Sequence, residues 1–265
     1  MVLRQYAPRT ARQANMHTGQ SSCAGMLRVI RFNWPMYLLA VVLTFVLLYL
    51  SLQPALVSVS ALFWLAAGYS AYQTAASLLA SWWVYDLSAL KSWQWVSELV
   101  PLESEKIVQV YAGYDESGGR LRSLFSSSDY SVIDFYDALP RREPSIVRAR
   151  KLYPSSVAPL CSTLTNWPMA PASVDVVVIA FAAHEIRDAS QREALFNQVS
   201  VVLKENGRLI LVEHLRDLAN LVAFGPGFVH FLPESEWKRC AASANLRLLK
   251  RQNITPLVGV FVLCR

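Results

Sequence analysis

The chain has 265 residues, 54% of them hydrophobic and only 17% charged, which suits one ordinary domain plus additional apolar segments. Its net charge of +6 is uneven: Arg4, Arg9, Arg12, Arg28 and Arg31 all precede the first acidic residue, Asp86, and the remainder is close to neutral. That balance argues against a nucleic-acid partner. Cys23, Cys161, Cys240 and Cys264 lie far apart with no CxxC pair, so no metal is expected.

Residues 1–32, rich in Ser, Gln, Arg and Thr, read as a basic disordered tail that touches anionic lipid. Residues 34–85 carry no charge. Within them, 35–53 form a run of about 19 residues, about 28 Å as a helix and enough to cross a bilayer core. Pro54 breaks the run, and 56–83 form a second, more polar one whose Ala66, Ala67, Gly68, Ser70 and Ala71 allow close helix approach. Residues 33–85 are therefore expected to be a transmembrane hairpin. A cleavable signal peptide fits poorly, because about 30 residues precede the apolar run and a second run follows at once. A buried hairpin in a soluble protein is the competing reading. The basic tail favours the cytoplasmic side of an inner or plasma membrane. Two crossings then return residues 86–265 to the cytoplasm. Trp34, Tyr37, Trp82, Trp83 and Tyr85 suit one membrane interface, and "SWQW" at 92–95 extends that belt within a juxtamembrane linker helix, 86–102.

From residue 103 to 265 strands and helices alternate. "KIVQVYA" reads as a strand followed by a helix near 117–125, and "YSVIDFYD" as a second strand. "EPSIVRARKLY" reads as a helix with Pro near its start, and "SSVAPLC" as a third strand. "SVDVVVIAFAA" has the continuous apolar character of a strand buried on both faces. "SQREALFNQVSVVLKENG" places Leu195, Phe196, Val199, Val202 and Leu203 on one helical face and is expected to end at Asn206 and Gly207. The strand "RLILVEH", the helix "PESEWKRCAASANL" closed by Asn245, and the strands "LRLLKRQ" and "LVGVFVLC" complete the chain. This alternation implies a doubly wound, Rossmann-like α/β sheet with its ligand site at the carboxyl ends of the strands.

"ASVDVVVIAFAAHEIRD" and "LKENGRLILVEHLRD" resemble the fourth- and fifth-strand motifs of class I S-adenosylmethionine-dependent methyltransferases, especially the small-molecule branch that includes quinone-biosynthesis enzymes. The resemblance spans roughly residues 103–265 and is stronger in the second half. It implies a sheet whose last strand inserts antiparallel, with S-adenosylmethionine as cofactor. The family's glycine turn, Asp/Glu-x-Gly-x-Gly-x-Gly, is largely absent from "VQVYAGYDESGG". With Gly113 as the central glycine, Gln109 replaces the acid, Tyr111 the first glycine and Asp115 the third. Three readings remain open: an altered cofactor turn in which Asp115 or Glu116 takes the ammonium, a turn for another ligand, or a turn that binds nothing.

The resemblance further assigns Asp134 to the ribose hydroxyls, where a carboxylate can take two donors. It sets Thr163 and Trp167 beside the adenine and Ala180 at the end of the fourth-strand motif. Candidate bases follow the two motif strands: His184 with Glu185, and Glu213 with His214, a His being suited to take a hydroxyl proton near neutral pH. The segment 218–233 is unusually apolar for a loop. Phe224, Phe228 and His230 are its candidates for contact with an acceptor; burial in the domain's own core is the alternative. The expected function is a membrane-anchored methyltransferase for a small hydrophobic acceptor, with membrane lipid as a further partner. A catalytically silent membrane subunit is the alternative.

Overall fold

A computed structural model describes residues 23–101, 104–155 and 157–265. The expected disordered tail lies outside the described residues up to residue 22. From Ala24 the chain is helix: α1 spans Ala24–Ser51, starting well ahead of the apolar run. Its backbone leaves helical geometry at Asn33 (φ −111°), two residues before Pro35, whose ring and missing N–H disrupt the preceding turn. A 3₁₀ turn, Pro54–Val59, leads to α2, Ser60–Trp82. Both segments are long and apolar enough to cross a membrane, with mean hydropathy 2.0 and 1.4 and little of either buried. The helices meet through the buried Ala67 and through Ser70, whose Oγ accepts from Thr44 Oγ1 at 2.9 Å. Gly68 points away from that contact, with open space around its Cβ position.

The foot of the hairpin is built into the following domain. Residues 83–98 form short π and 3₁₀ turns where one linker helix was expected. Within them Val84, Leu90, Trp93 and Val96 pack on one face of the sheet, together with Ile107, Val176, Val178 and Ile210. "SWQW" therefore belongs to the core, not to a membrane belt: Trp93 is 2% exposed and stacks on Trp95 at 5.9 Å.

Six strands form the sheet in the order β2-β1-β3-β4-β6-β5. They are β1 Lys106–Tyr111, β2 Asp129–Asp134, β3 Val174–Ala180, β4 Leu203–His214, β5 Arg247–Thr255 and β6 Val258–Cys264. The first four in that order run parallel, and β6 enters antiparallel between β4 and β5. The remaining helices are α3 Arg120–Leu124, α4 Pro144–Leu152, α5 Ala189–Val202, α6 Leu218–Phe224 and α7 Glu234–Ser243. Leu195, Phe196 and Val199 of α5 and Trp237 and Cys240 of α7 cover the second face. Burial of each such large side chain contributes about 1.5–3 kcal/mol.

Three boundaries differ from expectation. "SSVAPLC" is a single bridge, Ile133 to Cys161, because Pro159 supplies no N–H for a ladder. Helix α5 stops at Val202 because Leu203 already pairs with Val174 of β3. Residues 218–230 are α6 followed by a 3₁₀ turn, not a loop.

Asp86, 4% exposed, ties the hairpin together: its two carboxylate oxygens accept the N–H groups of Gly25 (2.7 Å) and Met26 (2.8 Å) at the start of α1. A carboxylate there satisfies two unpaired donors and faces the positive end of the helix dipole. Asp86→Ala is expected to lower stability by about 1–3 kcal/mol, and Asp86→Asn by less. Thermal unfolding of the detergent-purified chain followed by tryptophan fluorescence measures both. Equal melting temperatures for all three proteins would refute this role.

Candidate active site

The turn after β1 replaces glycine flexibility with an internal carboxylate. Asp115 Oδ1 accepts from Gln109 Nε2 (2.6 Å), Ser117 N (2.9 Å) and Ser117 Oγ (2.6 Å), and Oδ2 accepts from Gly119 N at 2.8 Å. Tyr130 in turn donates its hydroxyl to Gln109 Oε1 at 2.6 Å. Asp115 is thus a strut of the turn, with three donors on Oδ1 and one on Oδ2, which disfavours it as the ammonium acceptor. Its neighbour Glu116 is half-buried. Burial raises the Glu116 carboxyl, Arg28 opposes that and Asp115 adds to it, leaving it pushed up to about 7. Gly113, at φ +79°, adopts a conformation that L side chains rarely take, and a Cβ there would lie 2.6 Å from the Tyr136 ring.

Asp134 ends β2 and is 6% exposed. Its Oδ1 accepts from Gly113 N (2.7 Å) and Tyr136 N (3.1 Å), while Oδ2 has only Arg150 Nη2, 4.0 Å away. Burial raises its pKa more than these contacts lower it. Beside it the Tyr111 hydroxyl is buried without a hydrogen bond of normal geometry, with Ser155 and the Asp134 carboxylate in its surroundings. Among the described residues, a carboxylate oxygen with no close donor and a phenol with no well-formed hydrogen bond fit a polar ligand such as a ribose. They offer one carboxylate contact where the family pattern offers two. Trp167, 4% exposed, donates Nε1 to Thr163 O (3.1 Å), and Thr163 Oγ1 donates to Thr165 O (2.7 Å), so this loop is held by its own bonds. Ala180 is the last residue of β3 and is buried.

Beyond β3 the backbone turns sharply at Phe181, whose φ of +50° is uncommon for a bulky residue and marks local strain. The turn brings His184 and Glu185 against the end of β4. Glu213, fully buried, accepts from His184 Nδ1 at 2.6 Å on one oxygen and from the N–H groups of Ala183 (2.9 Å) and His184 (3.3 Å) on the other. Glu185 Oε1 lies 3.2 Å from His184 Nε2 and also 3.2 Å from His230 Nε2. Burial alone would lower the His184 pKa, but the two carboxylates outweigh it and raise the value to about 10. Burial would likewise raise Glu185, yet its contacts to His184 and His230 hold it well below the usual range. With no cation beside it, carboxylates at both nitrogens favour the charged form of His184. That disfavours His184 as the group that takes a proton from an acceptor.

His214 is the opposite case. Its Nδ1 donates to the Leu257 carbonyl at 2.8 Å, which leaves the Nε2 lone pair to accept from the Tyr85 hydroxyl, 3.5 Å away. Phe181 (5.0 Å), Phe224 (5.5 Å) and Phe231 (4.9 Å, stacked) surround the ring. Burial, assisted by the charge of His184, lowers the imidazole to about 4. Phe224 thus joins this box, whereas Phe228 is half-buried and is not among the rings around His214. Tyr85 and Phe181 were not read as site residues. The signal for Tyr85 was its position at the end of an apolar run, directly before the chain's first acid.

The family described as a methyltransferase domain matches residues 137–211, from the turn before α4 into β4. No curated protein sequence matches the chain. Among solved structures, a SAM-dependent methyltransferase from Aquifex aeolicus is 17% identical, over 68% of this chain and 92% of its own, with a TM-score of 0.51. An S-adenosylmethionine-dependent methyltransferase from Mesorhizobium loti is 14% identical over 67% of this chain and 100% of its own, with a TM-score of 0.45. The geranyl diphosphate C-methyltransferase from Streptomyces coelicolor A3(2) is 14% identical over 66% and 78%, with a TM-score of 0.47. Residues 137–211 match a methyltransferase domain, and the Aquifex structure shows that the residues from β1 onward share the fold of a SAM-dependent methyltransferase. The match and the fold together support S-adenosylmethionine-dependent methyl transfer.

The groups that face His214 are Tyr85, His184 and Asp217, besides the nearby side chain of Asn220. Because its folded pKa is depressed from 6.5 to about 4, its contribution to stability is complete above about 6.5. That contribution is lost as pH falls through the interval to about 4, since only the unfolded chain binds the proton there. NMR titration of the imidazole resonances, assigned with His214→Asn, should place His214 far below the other histidines. A midpoint near 6.5 would overturn the assignment.

Proposed function

We propose that the chain is a membrane-anchored methyltransferase, with its tail and catalytic domain on the cytoplasmic side, acting on a small hydrophobic acceptor. One observation carries this reading: the foot of the hairpin and the carboxyl end of the sheet share contacts. Tyr85 reaches His214, Gln73 Nε2 of α2 donates to Ala223 O at 3.1 Å, and Tyr72 donates to Val222 O at 3.3 Å. The outer side of α6, with Leu218 74% and Val222 53% exposed, continues the apolar surface of α2. Such a surface suits the lipid interface and opens an apolar route to the aromatic box.

When bound, S-adenosylmethionine supplies a methyl group on a sulfonium, for in-line transfer to a nucleophile. In this reading Asp134 Oδ2 takes a ribose hydroxyl, and Glu116, half ionised near neutral pH, is held ionised by the ammonium. Gly113 lets the turn pack closely, Thr163 and Trp167 close the adenine side, and Ala180 leaves room at the end of β3. His214 Nε2 takes the acceptor proton, because it is the neutral imidazole of the pair. Phe224, with Phe181 and Phe231, excludes water and gives the acceptor an apolar wall. Phe228 and His230 stand further out on the same segment. A silent binding subunit is the second reading; the Asp134 oxygen already spent on Gly113 and the Tyr136 ring against that glycine favour it.

Equilibrium binding of S-adenosylhomocysteine to the detergent-solubilised protein separates the two. Micromolar binding is expected, weakened at least about tenfold in Asp134→Ala, since a hydrogen bond to a charged group is worth about 1.5–3 kcal/mol. Absence of binding at millimolar ligand would select the silent subunit. In the active protein, His214→Asn should lower kcat by about 10²–10⁴ while leaving S-adenosylhomocysteine affinity within about threefold. Phe224→Ser should impair lipophilic acceptors far more than polar ones, and equal losses on both would refute the apolar wall.

A further inference from the structure

We infer that His184, Glu185 and His230 form a binding site for a borderline divalent transition metal of the Zn²⁺ type. The donor atoms lie within 4.8 Å of one another, although the residues come from two segments of the chain, the turn after β3 and the 3₁₀ turn after α6. Glu185 Oε1 is 3.2 Å from Nε2 of each histidine. With metal bonds of about 2.0–2.2 Å, a donor separation of that size subtends an angle of about 100°, compatible with tetrahedral or octahedral coordination.

The second, independent observation lies on the far side of the His184 ring. Glu213 fixes Nδ1 of His184 at 2.6 Å, and its own second oxygen is pinned by two backbone N–H groups. Glu143 Oε1 stands 3.7 Å from Nδ1 of His230. A carboxylate hydrogen-bonded behind the ring, as Glu213 is to His184, is the arrangement that orients a metal-bound histidine. Glu185 and His230 also line a cavity of about 360 Å³, which provides an entry path and room for further ligands. One group competes: Arg187 Nη2 contacts both ring nitrogens of His230 and lies 2.9 Å from Nε2. That guanidinium is 37% exposed and has Glu143 as an alternative partner at 3.7 Å, so it can give way. Two nitrogens and one carboxylate favour Zn²⁺, Co²⁺ or Fe²⁺ over Mg²⁺ and Ca²⁺, which prefer all-oxygen shells. The expectation of no metal rested on cysteine spacing; this ligand set contains no cysteine and becomes visible only when the chain is folded. The inference goes beyond methyl transfer and does not depend on it.

The test is titration of the full chain in detergent micelles, freed of metal with EDTA, with Zn²⁺ against a chromophoric chelator and with Co²⁺ followed by visible absorption. One equivalent of Zn²⁺ at micromolar affinity or tighter is expected, with Co²⁺ bands of nitrogen–oxygen ligation. His230→Ala, on a partly exposed turn, and Glu185→Gln should each weaken binding at least about tenfold, and Glu213→Gln by about 10–100-fold. His230→Ala carries the test if the buried variants unfold in thermal melts. Zn²⁺ affinity unchanged in folded His230→Ala, or Mg²⁺ bound as tightly as Zn²⁺ by the unsubstituted chain, would overturn the site.

Discussion

The carboxyl end of this sheet is organised by one buried carboxylate. Glu213 sits at the last turn of β4 with no exposure, where an isolated charge is very costly. It is tolerated because three donors from the neighbouring turn converge on it: the ring of His184 and the backbone N–H groups of Ala183 and His184. Those bonds hold the loop after β3 in place, and Phe181 keeps its left-handed backbone within that frame. They also set the protonation of two histidines in opposite directions. His184, between two carboxylates, is held charged, and its charge helps to keep His214 neutral one position beyond Glu213. Replacing Glu213 with an apolar residue would leave Nδ1 of His184 and two backbone donors unpaired together.

The hairpin is part of this arrangement and not an appendage. Asp86 holds the first turn of α1, and the residues that follow it fill one face of the sheet with Trp93, Val96 and Leu99. The same first turns of α1 lie over the turn after β1: Phe32 packs edge-on against Tyr114 at 5.0 Å, and Arg28 donates to the Tyr114 hydroxyl at 3.4 Å. On the other side α2 touches α6. A change in how the helices sit is therefore felt at both ends of the candidate site, through packed aromatic rings with little free volume.

Sequence patterns revealed the sheet because its strands are continuous apolar runs and its helices have clear apolar faces. The buried "VDVVVIA" strand and the α7 helix closed by Asn245 at φ +55° needed no tertiary information. The misread pieces share a cause, since their character is set by partners distant in sequence. "SWQW" looks interfacial until Trp93 is found beneath the sheet face, and Leu203 looks helical until β3 claims its backbone. At the site, residue types and positions were legible, but roles were not. Whether a histidine accepts or holds a proton depends on carboxylates that approach from other strands. Asp115 read as a ligand contact because its four donors, folded back from Gln109, Ser117 and Gly119, leave no trace in spacing.

The altered turn follows a consistent physical logic. A glycine-rich turn offers a ligand its bare backbone amides at close range. Here those amides are already committed: Gly113 N to Asp134, and Ser117 N and Gly119 N to Asp115. Each bond joins an N–H to a charged acceptor, and breaking one costs about 1.5–3 kcal/mol. A ligand gains little by competing for them, so recognition at this turn must rest on side chains. The available groups are the free oxygen of Asp134, the unpaired Tyr111 hydroxyl and the half-buried Glu116. Glu116 is also the group on which Arg28 of α1 acts. The chemistry that takes over from the missing glycines is thereby tied to the first turns of the hairpin. Affinity at the turn and the seating of α1 are consequently one property of this chain, not two.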